Sequence, residues 1–132
     1  MEDSVFTKIL KREIPAEIIY EDECAFVIPD KFPSMEGQVL VIPTRQAPYL
    51  FELSDNEYTS VMEITRRVAQ ALDRAYSTLR TCMVVEGFEV PHVHIRLYPC
   101  RTEELRLAPR REAPSAELNT VAEKVRAALA RV

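Results

Sequence analysis

Apolar side chains recur every three or four residues in three parts of the chain, and this spacing predicts three helices. The longest pattern covers residues 54–79 and opens with Ser54 and Glu57, which are spaced as a capping box. A short pattern covers residues 5–10, and another covers residues 115–131. Each helix therefore has one apolar face that must pack against the rest of the protein.

Short runs rich in β-branched and aromatic residues, separated by turn residues, predict about five strands. These runs are 18–20, 24–28, 39–42, 82–85 and 93–98. Residues 100–114 are rich in Arg, Glu and Pro without periodicity, which predicts an extended arm before the last helix. We therefore expect one α+β domain over residues 1–132, with an antiparallel sheet, one long central helix and terminal helices.

Composition narrows the class of protein. The chain has 132 residues, of which 47% are hydrophobic and 29% are charged, as in a soluble globular domain. Its net charge of -4 disfavours binding to nucleic acid, although a single nucleotide remains possible. The three cysteines include no Cys-x-x-Cys pair, so neither a disulfide framework nor a zinc finger is indicated. With no long apolar run and an acidic N-terminus, we expect a cytoplasmic protein without a membrane partner.

Candidate chemistry is concentrated in the segment 91–99, which contains both histidines of the chain. In a strand, alternation places His92, His94, Arg96 and Tyr98 on one face. Histidines that are merely hydrogen-bonded in a sheet are one interpretation, and a metal site is another, although a third histidine is missing. The third is phosphoryl chemistry, in which an imidazole attacks phosphorus and a guanidinium binds phosphate oxygens. These residue types favour the third interpretation.

The segment resembles the signature of the histidine triad (HIT) superfamily, His-φ-His-φ-His-φ-φ with φ apolar, with Arg96 at the third histidine position. The resemblance extends over about the first hundred residues, including the opening helix with its hairpin and the strand 37–43. It implies a HIT-like fold and a nucleotide hydrolase or nucleotidyl transferase that acts at the α-phosphate of a nucleoside monophosphate joined to a leaving group. It also implies a homodimer, because members pair through the long helix and an adjoining strand.

The resemblance assigns roles to individual residues. His94 corresponds to the nucleophile that carries the nucleotidyl group as a covalent intermediate, and His92 to a supporting residue near the phosphate. Arg96 would stabilise charge on the phosphoryl oxygens. Asp30 is the best match for the acid that binds the ribose hydroxyls, and a turn-forming aspartate beside Pro29 is the alternative. The apolar wall for the base corresponds to Phe6, Ile9, Phe26 and Ile28, which core packing explains equally well.

Departures from the signature leave a second function open. Residues 87–91 replace the phosphate-binding Gly-Gln-Ser/Thr loop and place Glu89 near the phosphate, where it is repulsive unless it pairs with Arg96. Because arginine cannot cycle a proton at neutral pH, we expect Arg96 to favour leaving groups that depart as anions. The alternative function is a nucleotide-binding or interaction protein with a degenerate triad and little or no catalysis.

The resemblance also bears on metals. Some HIT proteins hold a structural zinc with a Cys-x-x-Cys pair in the opening helix, a histidine after the central strand and the first triad histidine. The corresponding positions here are Ser4, Thr7, Gln46 and His92. Three of the four ligands are missing, so we expect neither a metal nor another cofactor.

Overall fold

The computed structural model describes residues 1–109 and 111–132, and its centre is an antiparallel sheet of five strands. The strands are β1 (Tyr20–Glu21), β2 (Ala25–Pro29), β3 (Val39–Pro43), β4 (Arg80–Val84) and β5 (Ile95–Cys100). Their spatial order is β1-β2-β3-β5-β4, so β5 lies between β3 and β4. The predicted α+β architecture is confirmed.

Three helices surround the sheet, namely α1 (Val5–Leu10), α2 (Asp55–Tyr76) and α3 (Ser115–Leu129). The predicted capping box of Ser54 and Glu57 is present at the start of α2. This helix ends before the predicted residue 79 because Ser77 adopts the left-handed conformation, with φ of 49°. Helix α3 ends at Leu129 rather than at residue 131, since Leu129 is its last buried side chain. No helix in the described ranges is long and apolar enough to cross a membrane.

The arm that follows β5 starts at Arg101, one residue later than predicted. Cys100 still pairs with β4, and Pro99 lies inside the strand instead of ending it. At Pro99 the pairing of β5 with β3 has already ended, and a proline is tolerated where one side of a strand lacks a partner. Residue 110 of the predicted arm 100–114 lies outside the described residues.

The two faces of the sheet have different roles. One face packs against α2 and α3 and forms the main core, with Val41, Ile95 and Leu97 among its buried side chains. The opposite face carries a second apolar cluster, which α1 covers. Arg96 is paired with Leu40 of this second face. The triad segment (residues 91–99) therefore lies beside the second apolar cluster and not in the main core.

Candidate active site

The triad segment enters β5 from an extended stretch. His92 and His94 precede the strand, which starts at Ile95 rather than at the predicted residue 93. Both imidazoles are buried, with exposed fractions of 0% for His92 and 4% for His94. Arg96 lies within the strand, where it is paired with both β3 and β4.

The ring of His94 is held in one orientation by its own segment. Its Nδ1 lies 2.8 Å from the carbonyl oxygen of His92, and since a carbonyl only accepts, Nδ1 carries the proton. Burial lowers the pKa of His94, so the ring is neutral at pH 7. The proton on Nδ1 leaves a lone pair on Nε2, for which the described residues provide no hydrogen-bond donor. A buried neutral imidazole with a free Nε2 has the form that a nucleophile requires.

His92 is fixed by contacts at both ring nitrogens. Its Nε2 lies 2.8 Å from the carbonyl oxygen of Pro43 and must donate to it. Its Nδ1 is therefore unprotonated and accepts a hydrogen bond from the hydroxyl of Ser4, at 2.6 Å. Burial lowers the pKa of His92 as well, which keeps the ring in this neutral form.

The four positions that correspond to zinc ligands in some HIT proteins do meet in space. Oε1 of Gln46 accepts from the backbone N–H of Ser4 at 2.7 Å and from the hydroxyl of Thr7 at 2.8 Å, and Ser4 in turn contacts His92. Neutral hydroxyl and amide groups replace the thiolates and the second imidazole that zinc requires, and the Nδ1 lone pair of His92 is already used. The residues present therefore do not fit a zinc ion, and hydrogen bonds connect α1 to the triad segment instead.

The four side chains expected to form the base wall lie together in the second apolar cluster, with Leu40 and Ile42. These four are Phe6, Ile9, Phe26 and Ile28. The Phe6 ring contacts both imidazoles, with centroid distances of 5.7 Å to His92 and 4.9 Å to His94. All four are at most 7% exposed, so they pack against one another within this cluster.

Asp30 lies just beyond β2, with 7% of its surface exposed. Its Oδ1 accepts from the backbone N–H of Phe32 at 2.9 Å, which is the turn-forming contact that the sequence left open. Its Oδ2 accepts from Nε2 of Gln38 at 2.6 Å and lies 3.9 Å from Nε of Arg96. Each carboxylate oxygen retains one lone pair for a further hydrogen bond.

Arg96 is surrounded by carboxylates. Its terminal nitrogen NH1 lies 3.5 Å from Oε1 of Glu86, a residue that the sequence did not single out. Asp30 is the second carboxylate within 4.0 Å, and Glu89, for which the sequence left open pairing with Arg96 or pointing away, is not among these contacts. Nε of Arg96 is buried without a hydrogen-bond partner among the described residues. The guanidinium charge is thus partly neutralised, and because Nε has almost no accessible surface, only the terminal nitrogens of this 30% exposed side chain can meet a ligand oxygen.

A cleft of about 270 Å³ opens beside Arg96 on this face of the sheet. Its walls are Val84, Glu86, Glu89, Arg96, Tyr98 and the arm residues Leu107, Ala108 and Pro109. The arm is anchored across this face, since the hydroxyl of Ser34 donates to the carbonyl of Arg106. No pattern in the sequence indicated that Glu86 and the arm belong to this site. Glu86 reaches it through the pairing of β4 with β5, and the arm reaches it through the path of the chain after β5.

Comparisons with known proteins bear on the family and the fold of this chain. A family model described as the HIT domain matches residues 11–103. Adenosine 5'-monophosphoramidase HNT1 of Saccharomyces cerevisiae is 34% identical over 101 residues, which are 76% of this chain but only 64% of that protein. The asymmetrical bis(5'-nucleosyl)-tetraphosphatase of Schizosaccharomyces pombe is 28% identical over 94 residues, which are 67% of this chain and 52% of that protein.

A solved structure has the same fold over nearly the whole chain. It is a Hit-like protein involved in cell-cycle regulation from Bartonella henselae, with a TM-score of 0.87 and 26% identity, and 96% of each chain is covered. The family model covers well over half of this sequence and includes all of the triad segment. The chain belongs to the HIT domain family.

Proposed function

We propose that this protein hydrolyses a nucleoside monophosphate joined to a leaving group, through a nucleotidyl intermediate on His94. The observation that carries the proposal is the state of that ring, which is buried, neutral, fixed at Nδ1 and free at Nε2. The names of two relatives, a monophosphoramidase and a nucleosyl tetraphosphatase, support a nucleotide hydrolase in general.

In the proposed reaction Nε2 of His94 attacks the α-phosphorus, and the bond from phosphorus to the leaving group breaks with its electron pair on the leaving group. An amine leaving group takes a proton from solvent water as this bond breaks, because Arg96 cannot supply one. Water then attacks the same phosphorus, the P–N bond to His94 breaks, and the nucleoside monophosphate is released. A terminal nitrogen of Arg96, whose side chain lines the cleft, donates to a phosphoryl oxygen in both steps. His92 holds the Nδ1 proton of His94 through its carbonyl oxygen, which fixes the nucleophilic tautomer.

The nucleoside would lie over the second apolar cluster. The base packs on the small exposed parts of Phe6, Ile9 and Ile28, with the fully buried Phe26 behind them. The remaining lone pairs of Asp30 accept from the ribose hydroxyls. Glu89 lines the cleft beside Arg96, where the leaving group would be placed.

The charges of the cleft select among leaving groups. The cleft is lined by two carboxylates, those of Glu86 and Glu89, and by one guanidinium, that of Arg96, so the surroundings of the leaving group are net negative. The expectation that Arg96 favours anionic leaving groups rested on its inability to cycle a proton and on its fixed positive charge, and the neighbouring carboxylates offset that charge. We therefore propose that neutral or cationic amines, as in nucleoside phosphoramidates, are preferred over polyphosphates.

The experiment compares kcat/KM for an adenosine phosphoramidate of an alkyl amine and for a dinucleoside tetraphosphate. We expect the phosphoramidate to be the better substrate, and His94→Ala to abolish turnover of both. Glu89→Gln should raise the relative rate of the tetraphosphate about three- to tenfold, because one charge near the leaving group is removed. Glu103→Gln, an exposed change of the same chemistry on the arm, is the matched control and should leave the ratio unchanged. Turnover that survives His94→Ala refutes the mechanism.

The alternative is a nucleotide-binding or interaction protein without useful catalysis. The excess of carboxylates around the position of the phosphate favours it, because it weakens binding of an anionic group. Calorimetry with AMP distinguishes the two functions. Binding of AMP together with no turnover of any phosphoramidate would establish the alternative.

We further propose that two copies of the chain form a homodimer through β4 and α2. Strand β4 is at the edge of the sheet, and Leu79 and Met83 beside its free edge are exposed, as is Tyr58 on α2. An unpaired edge with apolar side chains is a surface that favours pairing with a second strand. Light scattering should give the mass of a dimer, and Met83→Arg should give a monomer. A monomeric wild-type protein would refute the proposal.

A further inference from the structure

Two of the three cysteines face each other across the last two strands. The sulfur atoms of Cys82 in β4 and Cys100 in β5 are 3.9 Å apart, and the thiol of Cys100 is directed at the sulfur of Cys82. The register pairs Cys82 with Tyr98, so Cys100 lies two residues farther along β5 on the same face. No step of the proposed reaction uses these thiols.

We propose that Cys82 and Cys100 form a site of reversible oxidation, at which a peroxide converts the two thiols into one disulfide. A disulfide requires the sulfurs to be about 2.05 Å apart, so they must approach by about 1.9 Å. Within one chain β4 pairs only with β5, so no second strand of the same sheet opposes its approach to β5. The twist of paired strands also brings one of the two diagonal neighbours closer than the other.

The environments of the two thiols set the order of the steps. Cys82 is half-buried and accessible to a small peroxide, whereas Cys100 is only 4% exposed and burial raises the pKa of its thiol. The sulfur of Cys82 therefore attacks the peroxide, the O–O bond breaks, and a sulfenic acid and one water form. The sulfur of Cys100 then attacks the sulfur of Cys82, the S–O bond breaks, and a second water leaves with the thiol proton. Two thiols lose two electrons and two protons, and one peroxide becomes two waters.

The location of this site connects it to the cleft. Val84 follows Cys82 on the same face of β4, and Tyr98 is the partner of Cys82 in β5. Val84 and Tyr98 both line the cleft. A disulfide between these strands would hold the wall of the cleft in one position. Disulfides in reducing compartments are mostly transient and serve redox sensing or catalysis, which is the behaviour expected of a pair that is free in the reduced protein.

The test treats the full-length protein with hydrogen peroxide, alkylates the remaining thiols and locates them by peptide mapping without reduction. We expect a loss of two hydrogens from the chain mass, a peptide linking Cys82 to Cys100, and complete alkylation of Cys24. Dithiothreitol should restore both thiols. Cys24→Ser is the matched control and should form the same bond, while Cys82→Ser and Cys100→Ser should not.

Three results would overturn the proposal, namely all three thiols remaining free, oxidation of Cys24 at the same rate, or a bond between two chains instead of within one. Because mapping of the wild-type protein locates the bond directly, the outcome does not depend on whether the serine variants fold. None of these measurements requires nucleotide turnover, so the proposal and the proposed hydrolase function can fail independently.

Discussion

Replacing Ser4 by alanine tests the network that connects α1 to the triad segment. The hydroxyl of Ser4 donates to Nδ1 of His92, a ring that is fully buried, and its oxygen accepts from the backbone N–H of Thr7 as the cap of α1. Alanine removes both contacts at once. The variant leaves one helix N–H without a partner. It leaves Nδ1 of His92 only the hydroxyl of Thr7, which is 3.5 Å away and donates its proton to Gln46.

The magnitude follows from these two losses. An unsatisfied buried nitrogen costs about 1–3 kcal/mol, and loss of a serine cap costs about 1 kcal/mol. We therefore expect Ser4→Ala to lower the free energy of unfolding by about 2–4 kcal/mol. Ser4→Thr keeps the oxygen in place and should retain most of the stability.

Urea unfolding of the variants measures this difference through the transition midpoint at constant slope. Ser115→Ala is the matched control, because Ser115 is exposed at the start of α3 and no side chain caps that helix. This control should change stability by no more than about 0.5 kcal/mol. Equal effects of Ser4→Ala and Ser115→Ala, or an effect of Ser4→Ala below about 1 kcal/mol, would refute the proposed role of the network.

Two further predictions concern backbone strain and pH. Gly37→Ala should destabilise the protein strongly, because φ is +90° and a Cβ would lie 2.6 Å from the Tyr76 ring. Gly87→Ala, with φ of +68° and no contact closer than 3.8 Å, should cost only the backbone strain. Thermal melting compares the two variants, and equal losses of stability would contradict the prediction. Burial lowers the pKa of His92 and His94, so the unfolded chain binds more protons than the folded chain as the pH falls. The contribution of the two histidines to stability should therefore be fully present above about pH 7 and fall as the pH drops through about 6.5. Urea midpoints measured between pH 8 and 5 check this, and His94→Ala should flatten the dependence; a profile that does not change in that variant is the contrary result.

Much of the fold follows from patterns that are local in the sequence. Helix α2 starts at the predicted capping box of Ser54 and Glu57, and each of the five predicted runs overlaps a strand. Strand β1 retains only Tyr20 of the run 18–20, and β4 starts at Arg80 rather than at residue 82. The ends were less predictable, because Pro99 is accommodated within β5 and Ser77 ends α2 by its left-handed conformation. Whether a strand tolerates a proline and where a helix ends both depend on contacts with neighbouring elements, and a single sequence does not show those contacts.

The candidate site likewise has contacts that are local in the sequence and contacts that only the fold creates. The proton on Nδ1 of His94 is set by the carbonyl of His92 two residues earlier, and alternation along one segment already places these groups together. The contact of Ser4 with His92 spans 88 residues, and only the resemblance to the HIT superfamily indicated that these positions meet. Glu86 reaches Arg96 because β4 pairs with β5 in one particular register, which the sequence left open and which changes the charge of the cleft.

The central claim is that His94 carries the nucleotidyl group, and trapping that intermediate tests it most directly. The protein is mixed with excess adenosine phosphoramidate, stopped within the first turnover by alkaline denaturation to protect the P–N bond, and digested for mass spectrometry. We predict one adenylyl group per chain on the peptide that contains His94, and none in His94→Ala. Turnover without an adduct on His94, or an adduct on His92 instead, would contradict the mechanism.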